Sequence, residues 1–199
     1  MARINDPEGT RSRVVEVAYR LFVSRGFAAT AVNDVKAEAG ISSGAFSHHF
    51  PHKQDLVLAV IAGPVTRAIE ETWIAPVRDA VNAGSGISAV FGDIVAGLAA
   101  RGRVIGCPLN NLALELSGEG GAARVALDAL FRHWRAALAE KFAADLSAGR
   151  YPGLDPEAAA LFVIAAYSGA MAVAKAAQDP DPLVTARSEI ERYLASFSG

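Results

Sequence analysis

Residues 158–174, AAALFVIAAYSGAMAVA, run for seventeen positions without a charge. A helix made of them is small or apolar on every side, so it crosses a membrane or is covered all round by other helices. A span needs roughly 18–20 uncharged residues. This run is shorter, contains Tyr167, Ser168 and Gly169, and follows acidic residues. It therefore reads as a buried helix, with no membrane association. One copy of a 199-residue chain struggles to cover two neighbouring apolar helices. A two-fold homodimer is expected, built from this helix and the one near residues 121–147 as a four-helix bundle.

The rest of the chain is also helical in pattern: alanine is frequent and strand alternation is absent. Val14, Val17, Ala18, Leu21 and Phe22 follow helical spacing over residues 10–24, and Gly26 stops that helix. A short helix over 31–39 ends at Gly40. Another over 43–50 is capped by Ser42 and blocked by Pro51. A fourth begins near Lys53 and reaches about Asn82, with Gly63-Pro64 expected to kink or stop it. NAGSG (82–86) reads as a loop, and helices follow near 87–100, 108–116, 121–147, 155–177 and 182–196.

Three of the four histidines, His48, His49 and His52, fall within five residues. Pro51 separates His48 from His52, and no HExxH or paired-cysteine pattern supports a metal site. No acid or nucleophile stands at a spacing that would make the cluster catalytic. The turn EAGIS (38–42) offers a better reading. It joins two short helices, with Gly40 supplying a left-handed backbone and Ile41 plugging inward. In the second helix Ala45, Phe46 and Phe50 share one face, while Ser43, Gly44, Ser47 and His48 share the other. This is a helix-turn-helix pattern, whose second helix enters the DNA major groove. Charge agrees weakly. Residues 1–53 carry seven Lys/Arg against five Asp/Glu, and the remainder twelve against sixteen. Arg3, Arg11 and Arg13 are candidates for a basic arm on the DNA backbone.

The stretch GFAATAVNDVKAEAGISSGAFSHHFPHKQDLV (26–57) resembles the DNA-binding head of TetR-family transcriptional regulators. The matches include Gly26-Phe27, Thr30, Asp34-Val35, Ala39-Gly40-Ile41-Ser42, Gly44, Phe46, His49-Phe50 and Lys53. GCPLNNLALEL (106–116) is similar to a stretch in a subset of these regulators. The resemblance implies phosphate contacts from Thr30, His49 and Lys53. It implies base-facing positions at Asn33, Ser43, Gly44, Ser47 and His48, with Ser42 beside them as the cap. Three residues depart from the family pattern: Ser47 replaces a usual Tyr, Ala31 a usual Ser or Thr, and Lys36 a usual small residue, which makes Lys36 a further candidate for phosphate.

The expected fold is all-α, with a three-helix helix-turn-helix head at residues 1–53 and a larger helical domain at 54–199 for ligand binding and dimerisation. Trp73, Phe91, Ile94, Leu98, Leu109, Asn110, Phe131, Trp134 and Met171 are the candidates for an effector pocket, a composition ordinary helical cores share. Cys107 stands alone, which excludes an internal disulfide and suits a reducing cytoplasm. No apolar leader opens the chain. The expectation is a cytoplasmic, non-enzymatic regulator without cofactor, a repressor that a small, mainly apolar molecule releases from a palindromic operator in double-stranded DNA. The alternative is a small-molecule-binding helical protein or enzyme that keeps the head only structurally; the small side chains of the second helix favour it.

Overall fold

The computed structural model describes residues 7–119 and 121–197, and no strand occurs among them. Arg3 lies outside the described residues. The chain forms two units. One comprises the residues up to Arg67 together with Pro108–Asp128; the other holds Ala68–Cys107 and the residues from Ala129 onward. The larger body is thus entered, left and re-entered, because residues 108–128 fold with the head.

In the first unit, α1 (Pro7–Arg25) begins with proline at its first position, where the missing N–H costs nothing. It buries Val14, Val17, Ala18, Leu21 and Phe22. Gly26 ends it at φ +93°, its N–H donating to the Phe22 carbonyl at 2.9 Å. α2 (Val32–Ala39) carries only half a capping box. Asp34 accepts from the Ala31 N–H at 3.0 Å, but Ala31 has no side-chain oxygen to return the bond. α3 (Ser43–His49) is capped by Ser42, whose Oγ accepts from the Ala45 N–H at 3.2 Å. α4 (Lys53–Val60) starts with Asp55 accepting from the His52 N–H at 2.9 Å.

Proline 64 neither stops the helix nor opens a gap. Residues Ile61–Val65 widen into a π turn, and α5 (Thr66–Ile69) continues from it. The Thr66 N–H reaches the Ile61 carbonyl five residues back, and its Oγ1 donates to the same oxygen at 2.8 Å. The wider turn makes room for a ring that an α turn would press against its own carbonyl. A second π turn, Glu70–Ile74, precedes α6 (Ala75–Asp79), which has Pro76 near its start. α8 (Pro108–Leu116) packs on α1, and α9 (Gly121–Ser147) passes from the first unit into the second.

In the second unit, α7 (Ala83–Arg101) begins inside the expected NAGSG loop. Asn82 is its cap, accepting from the Ser85 N–H at 2.8 Å. The glycines serve packing rather than flexibility. A Cβ on Gly86 would stand 2.9 Å from the Val77 Cα and 2.8 Å from the Ala80 Cβ, so α6 and α7 cross closely there. α10 (Pro156–Ala177) packs on α11 (Asp181–Ala195), and α11 on α7. By length and composition alone α7 and α10 are apolar enough to cross a membrane, a test that buried helices also pass. Both bury a face here, Ile87, Val90 and Phe91 from α7 and Val163, Ile164 and Tyr167 from α10.

Candidate functional site

In the first unit, α3 divides as its spacing requires. Phe46 and Phe50 are buried, while Ser42, Ser43, Gly44, Ser47 and His48 are exposed, as is Asn33 on α2. His49 is half-buried, its ring 5.2 Å from that of His48. Nothing lies within 4 Å of a Cβ built on Gly44, so the bare backbone there faces outward. Lys36 donates to the Ser43 Oγ at 2.9 Å. The lysine that departs from the family pattern thus bridges the turn and fixes the first residue of α3.

Several expected contacts are used internally instead. Thr30 is fully buried, and its hydroxyl donates to the Gly26 carbonyl at 2.7 Å, which removes it from any phosphate. Lys53 is half-buried. Its Nζ donates to the Phe27 carbonyl at 2.5 Å and sits 3.9 Å from the centre of the Phe27 ring. Burial draws its pKa below the usual lysine value, against the pull of the Glu115 carboxylate. Lys53 is therefore a strut under the α1–α2 turn rather than a free cation. Arg13 donates to the Ala39 carbonyl at 3.1 Å, at the end of α2, and the Arg11 guanidinium lies 5.2 Å from the centre of the Phe50 ring. Both belong to α1 and not to an arm.

Glu115, which sequence did not single out, completes this region. Its Oε2 accepts from the Ala28 N–H at 3.0 Å, and a Cβ on Gly26 would meet its Oε1 at 3.1 Å. A lone acid in the apolar LALEL was the available signal. It holds α8 to the turn that leads into α2.

In the second unit, Trp73, Phe91 and Trp134 surround Tyr167 at ring-centre distances of 4.7, 5.8 and 5.9 Å, and the two tryptophans lie 5.1 Å apart. Phe131 stacks on Trp134 at 6.4 Å. Tyr167, the hub, was missing from the expected set, although it is the polar interruption in the longest apolar run. Burial pushes its phenol well above the usual range, and the side chain of Cys107 beside it adds to the shift. Met171 and Leu98 are buried in the same unit and Ile94 is half-buried. Leu109, buried, and Asn110, half-buried, lie on α8 in the first unit.

α10 leaves an apolar stripe uncovered: Leu161, Phe162, Gly169 and Val173 are all exposed, as is Val184 on α11. The helix packed beside the stripe is α11, where the sequence had suggested α9; Phe162 stacks on Tyr193 at 4.7 Å.

Comparison with known proteins agrees with both regions. Residues 14–60 match the family described as bacterial regulatory proteins, tetR family. Residues 83–189 match the C-terminal domain described as transcriptional regulator LmrA/YxaF-like. The HTH-type transcriptional repressor DhaR of Mycobacterium sp. strain GP1 is 29% identical over 185 residues, covering 87% of this chain and 86% of its own. The repressor KstR2 of Rhodococcus jostii is 30% identical over 111 residues, 48% of this chain and 54% of its own. A TetR transcriptional regulator from Chloroflexus aurantiacus superposes with a TM-score of 0.83 at 28% identity, covering 95% of this chain and 96% of that one.

Proposed function

Since the chain belongs to the tetR family of bacterial regulatory proteins, and so is a ligand-responsive DNA-binding regulator of transcription, we propose that it is a cytoplasmic repressor. A dimer places α3 of each copy in the major groove of a palindromic operator. A small, mainly apolar molecule at the Trp73–Phe91–Trp134–Tyr167 cluster releases it. The observation that carries the DNA reading is the bare, exposed face of α3 (Ser43, Gly44, Ser47 and His48), anchored from behind by Phe46 and Phe50. Repressor-named relatives support the direction of control. The uncovered stripe on α10 supports a dimer built on α10 and α11.

Base readout falls to Asn33, Ser43, Ser47 and His48. Phosphate contact falls to His49 and to backbone N–H groups, because Thr30 and Lys53 are engaged internally. The head comprises residues 1–53 with the start of α4, and α8 braces it through Glu115. His48→Ala is expected to relax preference at one position in each half-site, at a cost of roughly 1–3 kcal/mol on the preferred base. Competition binding across single-base operator variants reads this. Equal weakening on every variant would move His48 from the bases to the backbone.

A further inference from the structure

The aromatic cluster makes a chemical demand that its own side chains leave unmet. Trp73 is 1% exposed and Trp134 is 0% exposed, and the indole N–H of each is buried without a hydrogen-bond partner. Trp73 Nε1 lies near enough to the Tyr167 oxygen to favour its charged form, but without the alignment of a hydrogen bond. Buried donors are almost always paired, because leaving one unmade is costly. Two in one cluster call for an acceptor from outside the chain.

The surroundings narrow what can bring it. The rings that meet here, Trp73, Phe91, Trp134 and Tyr167, are flat and uncharged. Glu70 and His133, the nearest ionisable neighbours along the chain, pair with each other at 2.5 Å with their side chains partly exposed. A charged ligand would be stripped of water with no opposite charge among these rings. A pure hydrocarbon would fill space and leave both indole donors empty.

We infer that the effector is an uncharged, flat aromatic molecule bearing one or two hydrogen-bond acceptors, recognised by the indole N–H groups of Trp73 and Trp134. This rests on the assignment of the effector site to the cluster. A site built to hydrogen-bond its ligand discriminates against an analogue lacking the polar atom far more strongly than an apolar pocket discriminates by size.

The test uses three two-ring probes on the full-length dimer: coumarin, which carries a lactone, naphthalene, which has no acceptor, and the carboxylate of coumarin-3-carboxylic acid. The chain has only two tryptophans, both in the cluster, so intrinsic fluorescence reports on this site, and calorimetry supplies the constants. Coumarin is expected to bind at least about tenfold more tightly than naphthalene, and the carboxylate more weakly than coumarin. Trp73→Phe and Trp134→Phe should each shrink the coumarin advantage while keeping naphthalene binding. Should either variant fail to fold, the wild-type comparison still decides.

Equal binding of coumarin and naphthalene would overturn the inference and leave the donors to trapped water, with the cluster still standing as an apolar effector site. Tighter binding of the carboxylate would also overturn it. No binding of any probe would overturn both the inference and the assignment of the site.

Discussion

Replacing Asp145 by alanine is expected to cost about 3 kcal/mol of folding stability, which is large for a residue remote from the DNA face and from the aromatic cluster. Asp145 lies on α9 and is 2% exposed. Its Oδ2 accepts from the N–H of Ala83, the first residue of α7, at 2.6 Å, and its Oδ1 accepts from Arg150 at 3.1 Å. A carboxylate here meets the positive end of the α7 dipole as well as a hydrogen bond. Alanine would leave the Ala83 N–H buried with no acceptor, since Ala83 itself is fully buried. The partly exposed Arg150 would return to water at little cost. Asp145→Asn keeps one acceptor and should lose about half as much. Urea unfolding at fixed protein concentration checks both, because dimerisation contributes to the midpoint. A loss below about 1 kcal/mol for the alanine variant would reduce the carboxylate to a surface cap.

The second large effect is functional. Gly44→Leu is expected to fold normally and to lose operator affinity by at least about a hundredfold, some 3 kcal/mol. The fold tolerates the side chain because nothing stands within 4 Å of a Cβ at this position. Leucine is also a better helix former than glycine. The cost falls on the DNA side, where the N-terminal residues of α3 must come close to base edges and a branched chain would hold them off. Thermal melting and an operator titration on the same sample separate the two effects. Retained affinity would show that α3 does not approach the bases at Gly44.

The helical pattern, the turn at Gly40 and the division of α3 were legible in the sequence because each is local. Apolar spacing, a left-handed glycine and a serine cap act within a few residues, and all appear where expected. What sequence could not assign was the use of long side chains. Lys53 has the position of a phosphate contact, yet its partner is the Phe27 carbonyl, twenty-six residues away. Thr30 looked free until the turn closed its hydroxyl onto Gly26. NAGSG has the composition of a linker, but Gly86 is there because α6 passes at backbone distance. Tyr167 looked like a blemish in an apolar run and is instead the ring that three others touch. In each case the deciding neighbour is distant in sequence, and composition carries no record of it.

The central claim is that two copies of α3 read a two-fold operator. Selection of bound sites from random double-stranded DNA with the purified full-length protein tests it most directly. The account predicts enrichment of an inverted repeat, with half-site centres spaced to bring the major groove to the same side of the duplex, about 10–10.5 base pairs or a multiple of it. Gly44→Leu, run in parallel, should enrich nothing. Recovery of no sequence by the wild-type protein, or of a single unrepeated site that Gly44→Leu recovers equally well, would contradict the account.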